Sequence, residues 1–524
     1  MKSSRCVFCN TKHRTVTINY RNRLDGSTQP HRIFGTRSMK RVTFFLLISL
    51  CLPAITLAQD VIMSPPQKVN TGISKVEILG RTDQGILVRH TQKEDDEIVA
   101  FYDNMQQHWR KKIPVHEKNA IITHITTFDD SVIFFYTIAA KGVTELKAAK
   151  TSSRIESQAR LVICDSLSRN AFSQAPSPRF RESADKRFIL AWFPDANFEN
   201  NKLLHATCYN AWLKPVWKAV TRLPGLEHPE VIDATLDSAG NAVFVCGDYR
   251  DRSIRNDFDY TALLTLSIRD RAMKIHPQII TNKDILYSRG IVKSDVLTGN
   301  VLFAGLYAHA VGTESSGVFL MKYNASLDTV EKVNYLAHTT EFLSQLTGSA
   351  TPKKNDGFYD FELMELIVKR DGGAVIMAES HSTSSETYSS SGVGGFGFSG
   401  GFVVNTFHYD DIMAISFKPD GSAEWKTILH KKQETEGDGG FFSSFAMMIA
   451  KRRAYLLYND QINGQTVVAY YELDADGNQS RTELLNAERK GIMPAMKQGK
   501  QVSANELVIP SFKRNYLQFI KITF

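Results

Sequence analysis

A short turn followed by a run of β-favouring apolar residues recurs along almost the whole chain. The copies begin at positions 84, 130, 186, 240, 299, 372 and 453 and include Ile86-Leu87-Val88, Val132-Ile133-Phe134 and Val301-Leu302-Phe303. Val, Ile, Phe, Tyr and Leu dominate these runs, and Gly, Asp, Asn or Pro interrupts them about every 8 to 12 residues, which is typical of short β-strands. The recurrence therefore predicts an all-β protein.

A second element follows many of these copies. It is an apolar strand that ends in an aromatic or acidic turn, followed by a strand that often carries Trp. The clearest examples are Phe101-Tyr102-Asp103 with Trp109, Tyr209-Asn210 with Trp217, and Asp420-Gly421 with Trp425. Asp-Gly and Asn turns let the chain reverse between antiparallel strands, and we expect the bulky side chain after the turn to pack on the neighbouring sheet.

The complete unit is about 45 to 60 residues long, within or slightly above the length of a four-stranded propeller blade. We count seven units and a short eighth piece at residues 506–520. Strands from residues 61–69 and from the C-terminus would close the ring and remove exposed sheet edges. The prediction is a single β-propeller of eight (or seven) four-stranded antiparallel blades. The alternative is two stacked β-sandwich domains that meet near residues 351–357.

The positive charge of the chain is concentrated at its start. Residues 1–58 carry ten Lys and Arg against one acid, Asp25, a net charge of +9. Because the whole chain has a net charge of +8, residues 59–524 have a net charge of −1. Nucleic-acid binding needs Lys and Arg clustered on the folded surface. A near-neutral body therefore argues against a nucleic-acid partner.

Residues 39–58 have the three parts of a secretory signal peptide. Met39-Lys40-Arg41 is followed by an apolar run over residues 42–52 and by the small residue Ala58, after which cleavage is expected. The alternative is an N-terminal membrane anchor, although the run is short for a span of about 20 residues. Residues 1–38 are predicted to be a mis-assigned or disordered extension. The mature body, 59–524, contains no further stretch apolar enough to span a membrane.

Cysteine usage predicts neither a disulfide scaffold nor a metal site. The CxxC at Cys6 and Cys9 is not followed by a second ligand pair at metal spacing. Cys164, Cys208 and Cys246 remain in the mature body and are expected to be buried free thiols, with a disulfide as the alternative.

The repeat resembles that of secreted β-propeller-like proteins of Gram-negative bacteria. It is similar, more loosely, to the quinoprotein-like repeat family, whose blades also place an Asp-Gly turn before Trp. The match is best at Asp420-Gly421 with Trp425 and partial at Asp103 with Trp109. The resemblance implies an exported protein, periplasmic or extracellular, and permits a scaffold role in outer-membrane assembly. The ring-lining residues that hold a quinone have no identifiable counterparts here, so no cofactor is predicted.

The most unusual segment is a Gly/Ser-rich insertion at residues 382–408, between the second and third strands of one repeat. Long insertions on rigid scaffolds often carry function, and aromatic and His side chains give adaptable contact area. The candidate ligand- or partner-contacting residues are Tyr388, Phe396, Phe398, Phe402 and His408. The alternative is a flexible hairpin without a binding role.

Three motif matches in this region and beyond do not predict chemistry. G-x-G-x-x-G at 392–397 lacks the strand and helix of a dinucleotide site, and G-x-S-x-G at 397–401 lacks the following helix of a nucleophile turn. Asp474 to Asn478 resembles a calcium loop but lacks its later Gly and Glu, so a plain hairpin turn is favoured. The two ends of the insertion carry five potential metal ligands, Glu379, His381, His408, Asp410 and Asp411. Because both ends of a hairpin lie close together, these side chains could share a metal ion. The favoured interpretation is that they are solvated polar residues at the strand ends.

Two classes of function fit these features. The first is an exported, non-catalytic and monomeric propeller that binds a protein, glycan or envelope component on one face. The second is a glycan hydrolase or lyase, which needs a carboxyl pair about 5 to 10 Å apart across a cleft. The acids considered for such a pair include Asp356, Asp360, Glu362 and Glu365. No catalytic residue and no metal ligand is assigned.

Overall fold

Antiparallel β-sheet makes up almost all of the regular structure. A computed structural model describes residues 59–70, 74–93, 95–140, 142–156, 159–168, 177–193, 197–198, 201–223, 225–249, 258–268, 278–309, 315–324, 326–347, 361–389, 401–462 and 464–524. Within these residues the all-β prediction is confirmed. The compact unit formed by the body of the protein is Gln59–Phe524.

The first three sheets follow one another along the chain. Sheet 1 contains β3 (Ser74–Thr82), β4 (Gly85–Gln92), β5 (Asp95–Phe101) and β6 (Gln107–Lys112). Sheet 2 contains β7 (Ile121–Thr127), β8 (Ser131–Ala140), β9 (Val143–Ser152) and β10 (Arg160–Ser168). Sheet 3 contains β11 (Arg179–Glu182), β12 (Phe188–Phe193), β14 (Asn201–Asn210) and β15 (Pro215–Arg222), with the short β13 (Asn197–Phe198) beside β14.

The next eight strands are hydrogen-bonded into one sheet with two halves. Sheet 4 is the half formed by β16 (Pro229–Leu236), β17 (Ala242–Tyr249), β18 (Phe258–Ile268) and β19 (Gln278–Thr281). Sheet 5 is the half formed by β20 (Ile285–Ser294), β21 (Val301–His309), β22 (Gly317–Asn324) and β23 (Thr329–Ala337). A short pairing of β18 with β20 joins the halves. A prediction of separate four-stranded sheets therefore needs correction at this junction.

The remaining sheets complete the chain. Sheet 6 contains β24 (Phe361–Val368), β25 (Ala374–Ser389), β26 (Gly401–Phe417) and β27 (Ala423–Leu429), with β28 (Gln433–Glu436) beside β26. Sheet 7 contains β29 (Phe445–Ala450), β30 (Arg453–Ile462), β31 (Gln465–Leu473) and β32 (Gln479–Asn486). The described helices are α1 (Thr340–Thr347), α2 (Ala487–Lys490) and a 3-10 turn, Met496–Gln498. Neither α-helix is long and apolar enough to cross a membrane.

Sheet 8 takes strands from both ends of the body. It contains β33 (Lys500–Gln501), β34 (Glu506–Lys513), β35 (Tyr516–Thr523) and, from the N-terminal side, β1 (Asp60–Met63) and β2 (Gln67–Lys68). β1 runs antiparallel to β35, from Asp60 opposite Thr523 to Met63 opposite Ile520. The expected N-terminal strand is therefore present and covers an edge of the last sheet.

The core lies between consecutive sheets. Each of eight clusters of buried apolar side chains is shared by two neighbouring sheets. One cluster joins sheets 5 and 6, across the boundary that two separate sandwiches would need at 351–357. Another joins sheet 8 to sheet 1, where the ring centroids of Phe101 and Phe519 lie 5.0 Å apart. Burying such a side chain contributes about 1.5 to 3 kcal/mol.

The Trp residues of the repeat pack as the sequence predicts. Trp109, Trp217 and Trp425 lie on the fourth strands of sheets 1, 3 and 6, against the clusters shared with the following sheet. Trp217 Nε1 donates to the Gly240 carbonyl at 2.7 Å, and Trp425 Nε1 donates to the Ala475 carbonyl at 2.9 Å. The indoles of Trp217 and Trp425 thus link their own sheets to a turn of the next one.

The connections between strands alternate between two ends of each sheet. We call the end with the links from first to second and from third to fourth strand the short-turn end, and the opposite end the crossover end. At the short-turn end of sheets 1 and 2, the Asp83 N–H donates to the Asp129 carbonyl at 2.9 Å. At the same end of sheets 3 and 4, Arg187 donates to the Ser238 carbonyl at 2.7 Å. Neighbouring sheets therefore present their short turns on a common side.

Candidate functional site

A cavity of about 380 Å³ lies where the first strands of sheets 3, 4 and 5 end. β11, β16 and β20 contribute its walls, and the short turns that follow β16 and β20 contribute its rim. The charged side chains that line it are Arg181, Glu182, Asp237, Lys293 and Asp295. Backbone from three sheets thus converges on one opening at the short-turn end, whose lining combines these charged groups with apolar side chains such as Leu236 and Val292.

Asp233 on β16 organises the wall behind this cavity. Arg181 Nη2 of sheet 3 lies 2.6 Å from Asp233 Oδ1, and the Val292 N–H of sheet 5 donates to Asp233 Oδ2 at 3.1 Å. Oδ1 also accepts the Ala234 N–H at 2.8 Å. A β-bulge between Val231 and Asp233 turns the carboxylate to this position. One side chain therefore ties together three sheets.

A second bulge repeats the arrangement two sheets further on, in sheet 6. The register of β24 shifts between Leu363 and Glu365, and Glu365 Oε1 accepts the Leu366 N–H at 2.9 Å. The same carboxylate pairs with Lys293, which lines the cavity. Arg181 and Lys293 thus each meet an acid of the following sheet, and this fixes their positions in the wall.

Glu182, at the end of β11, lies among cationic groups. His124 Nε2 of sheet 2 is 3.5 Å from Glu182 Oε1. Desolvation opposes ionisation of this carboxyl, but the His124 and Thr126 side chains outweigh it and the net pKa of Glu182 is lowered. Desolvation also lowers the pKa of the Lys500 ammonium, and Glu182 partly opposes that shift. Glu182 is therefore a carboxylate at neutral pH, and the His124 ring and the ammonium groups of Lys186 and Lys500 are near it.

The other two carboxylates of the cavity, Asp237 and Asp295, accept hydrogen bonds from the backbone of the turns that follow β16 and β20. Asp237 Oδ1 accepts the N–H groups of Ala239 and Asn241 at 2.8 Å each. Asp295 Oδ1 accepts the Leu297 N–H at 2.9 Å. Such Asx turns stabilise the chain reversal and use the lone pairs that a catalytic acid or base would need. The arrangement favours binding of a ligand with hydroxyl, donor and acceptor groups over acid–base chemistry.

The predicted contact residues of the insertion lie at the other side. The described parts of the insertion are residues 382–389 of β25 and residues 401–408 of β26. These are the second and third strands of sheet 6, and their link belongs to the crossover end. Backbones of Tyr388 and Phe402 are paired across the hairpin. His408 Nε2 lies 3.2 Å from the Ser384 hydroxyl. Phe396 and Phe398 lie outside the described residues, and a contact role for the five remains a prediction.

At the base of the insertion, where the sequence offers possible metal ligands, Glu379 forms an ion pair with a lysine. Glu379 Oε1 lies 2.7 Å from Lys431 Nζ, and the two side chains are 1% and 0% exposed. The interpretation of solvated strand-end residues is therefore wrong for Glu379. Asp411 lies 3.1 Å from His430 Nδ1. Among the residues that the structure describes, no three His, Cys, Asp or Glu side chains are placed to share a metal ion.

Other sequence predictions are confirmed at residue level. Cys164, Cys208 and Cys246 are free thiols, although Cys164 is only partly buried. Burial raises the pKa of Cys246 to about 12. Asp474 accepts the N–H groups of Asp476 and Asn478 in a hairpin turn, as favoured over a calcium loop. Of the acids considered for catalysis, Glu362 and Glu365 lie on β24, and Asp356 and Asp360 fall outside the described residues.

Comparison with known proteins shows no family. No protein-family model matches the sequence, and no curated protein matches it significantly. Solved structures with similar backbones include the β-propeller domain of Nup133 from Vanderwaltozyma polyspora, which is 10% identical with a TM-score of 0.35 over 76% of this chain and 100% of that one. An ulvan lyase, a polysaccharide lyase, is 10% identical with a TM-score of 0.35 over 77% of this chain and 93% of that one.

Longer proteins also match. A puromycin hydrolase is 11% identical with a TM-score of 0.36 over 78% of this chain and 52% of the hydrolase. The present chain spans about half the length of that protein and of a prolyl endopeptidase that it also matches. At these identities, and with TM-scores below 0.5, the likenesses carry no argument about activity.

Proposed function

We propose that this chain is an exported β-propeller that binds a glycan through the cavity at its short-turn end. Sheets 1 to 8 would be eight blades of one ring. The proposal of a closed ring is supported by the eight clusters between consecutive sheets, the last of which joins sheet 8 to sheet 1. The pairing of β1 with β35 supports closure by both termini. Export is proposed from the signal-like segment at residues 39–58.

The single observation that carries the binding role is the cavity of about 380 Å³. Its size is within the range of small-ligand pockets, about 300 to 1,000 Å³. Its wall offers fixed side chains of both signs, Arg181, Glu182 and Lys293, together with the hydroxyls of Ser238 and Ser294. A sugar presents both donor and acceptor hydroxyls, so it can use such a wall without a net charge of its own.

The test fills the cavity without removing any of its ion pairs. Ala239 lines the cavity and is exposed in the turn after β16, so Ala239→Trp places an indole in the opening. Asp476→Trp is the matched control, because Asp476 is also the third residue of a short turn but lies in sheet 7, away from the cavity. Residues 59–524 and both variants would be titrated calorimetrically with a panel of defined neutral and acidic oligosaccharides.

The expected result is that the protein binds at least one member of the panel and that Ala239→Trp weakens this binding about tenfold or more, a loss of about 1.4 kcal/mol. Asp476→Trp should bind as the unaltered protein does. Absence of binding to every oligosaccharide, or equal binding by Ala239→Trp, would overturn the proposal. Cleavage of a bound oligosaccharide would support the hydrolase or lyase alternative instead.

A further inference from the structure

Trp212 is an exposed aromatic residue on the short turn between β14 and β15 of sheet 3. Its side chain is 63% exposed. The turn closes with a hydrogen bond from the Leu213 N–H to the Asn210 carbonyl at 2.9 Å, and Leu213 has a φ of 61°. Leu213 is buried at 2% exposure while its neighbour Trp212 points to solvent. The turn therefore supplies the core with Leu213 and leaves the indole outside.

The fold does not require an aromatic side chain at this position. The third-to-fourth-strand turns of sheets 1, 2, 5, 6 and 7 also have a residue with positive φ at the place of Leu213. The residues that precede it, and so correspond to Trp212, are Asn104, Arg154, Leu327, Asp420 and Asp476. Four of these are polar and the fifth is aliphatic. Only Trp212 among the six presents a flat aromatic surface.

Lys150 of sheet 2 lies over this indole. Lys150 Nζ lies 4.4 Å from the centroid of the Trp212 ring and donates to the Ala211 carbonyl at 2.8 Å. A cation over an exposed Trp ring contributes about 0.5 to 1 kcal/mol. The Asn210 side chain fixes the backbone beside it, since Oδ1 accepts the N–H groups of Trp212 and Lys214 at 3.0 Å each. Lys150 thus contacts the ring, and Asn210 stabilises the turn that carries it.

Hydrogen bonds connect this turn to the rim of the cavity. The Ala211 N–H donates to the Arg187 carbonyl at 3.1 Å, and Arg187 Nη2 donates to the Ser238 carbonyl at 2.7 Å. Ser238 lines the cavity, and the Arg187 side chain is 65% exposed. Trp212, Arg187 and the cavity therefore follow one another along the short-turn end of sheets 3 and 4.

We propose that Trp212 is a stacking subsite for a second sugar unit of a glycan whose first unit lies in the cavity. This inference rests on the proposed function and extends it from a single sugar to an oligosaccharide. The indole offers a large, rigid apolar face at low entropic cost, suited to the C–H face of a pyranose ring. Between the two subsites, Arg187 Nε donates to Asp185 and Nη2 to the Ser238 carbonyl, and Nη1 is the group that would donate to hydroxyl oxygens of the glycan.

The test is a length series, from the monosaccharide to the tetrasaccharide of the glycan that the protein binds. Trp212→Ala removes the ring and Trp212→Phe retains a smaller one. Tyr516→Ala is the matched control, because Tyr516 is 48% exposed but follows the link between second and third strands of sheet 8, at the crossover end. Dissociation constants would be measured by calorimetry for each protein and each length.

The expected result is a gain in affinity with length that Trp212→Ala reduces on the order of tenfold for the longer sugars. Monosaccharide binding should stay unchanged in that variant, Trp212→Phe should retain most of the gain, and Tyr516→Ala should bind normally. If the cavity binds the monosaccharide but length adds nothing, or if Trp212→Ala equals the unaltered protein, the stacking subsite is wrong and the cavity proposal stands. If no sugar binds, both are wrong.

Discussion

At the scale of the residue, the buried pair Glu379 and Lys431 differs most from sequence-based expectation. Lysine is rarely buried, yet Lys431 Nζ contacts Glu379 and donates to the Tyr409 carbonyl at 2.7 Å and to Gln433 Oε1 at 2.8 Å. The Ser444 hydroxyl of sheet 7 donates to the other Glu379 oxygen. Desolvation lowers the pKa of Lys431 although the Glu379 carboxylate opposes the shift. The pair compensates its own burial and joins sheets 6 and 7.

Removing one partner should cost more than removing both. Lys431→Met leaves the Glu379 carboxylate buried without a counter-charge, so we expect the free energy of unfolding to fall by about 3 to 5 kcal/mol. Replacing both residues, with Glu379→Gln and Lys431→Met together, should recover most of that loss. Urea denaturation of the single and double variants measures the difference. Additive losses in the double variant would contradict a coupled pair.

At the scale of the element, the insertion is a hairpin arm built from the far parts of β25 and β26. The two strands stay in register from His381 opposite Tyr409 to Ser389 opposite Gly401. Residues 383–387 are exposed, and β28 pairs with β26 over Thr406 to Tyr409. β25 and β26 are the second and third strands of sheet 6. A register shift between Glu379 and His381 separates this arm from the part of the two strands that belongs to the body of sheet 6.

Deleting residues 384–401 should leave the fold intact. The pairs of the arm near sheet 6, such as Thr383 opposite Phe407, remain, and residues 402–405 can close the shortened hairpin. Because the deleted side chains that are described are mostly exposed, we expect the free energy of unfolding to change by less than about 1 kcal/mol. Urea denaturation tests this, and loss of folding would contradict it. If the arm contacts an envelope partner, capture of that partner should be lost at the same time.

At the scale of the whole molecule, stability depends on strands that are distant in sequence. β1 completes sheet 8, and its side chains Val61 and Met63 pack against the cluster shared by sheets 7 and 8. That cluster also contains Phe524 and Ile522. The two ends of the body therefore stabilise each other.

Removing residues 59–63 should destabilise the protein by about 2 to 4 kcal/mol, because it exposes the contacts of Val61 and Met63 and uncovers part of an edge of β35. Thermal unfolding should show a lower Tm, and light scattering should show more association, since an open edge can pair with another chain. Asp60→Ala is the control, because the Asp60 side chain is exposed and the strand is kept. An unchanged Tm in the truncated protein would refute this role of β1.

The local structure of this protein follows from interactions between residues that are close in the chain. Turns such as the one at Asp474 are stabilised by side chains and N–H groups within five residues of one another, and strand preference depends on each residue and its neighbours. Because these interactions are short-range, the repeat can be recognised from the sequence. Even the Trp residues of the fourth strands follow, since each stands at a constant distance from its turn.

Which residues from distant parts of the chain form ion pairs or strand pairs depends on the tertiary structure. Arg181 finds Asp233 across 52 residues, Lys293 finds Glu365 across 72, and Asp60 pairs with Thr523 at the other end of the chain. A charged residue that interrupts an apolar strand can be recognised in the sequence. The residue with which it pairs cannot, because the partner lies far away in the chain. The cavity arises because sheets 3, 4 and 5 pack side by side and bring the ends of their first strands together.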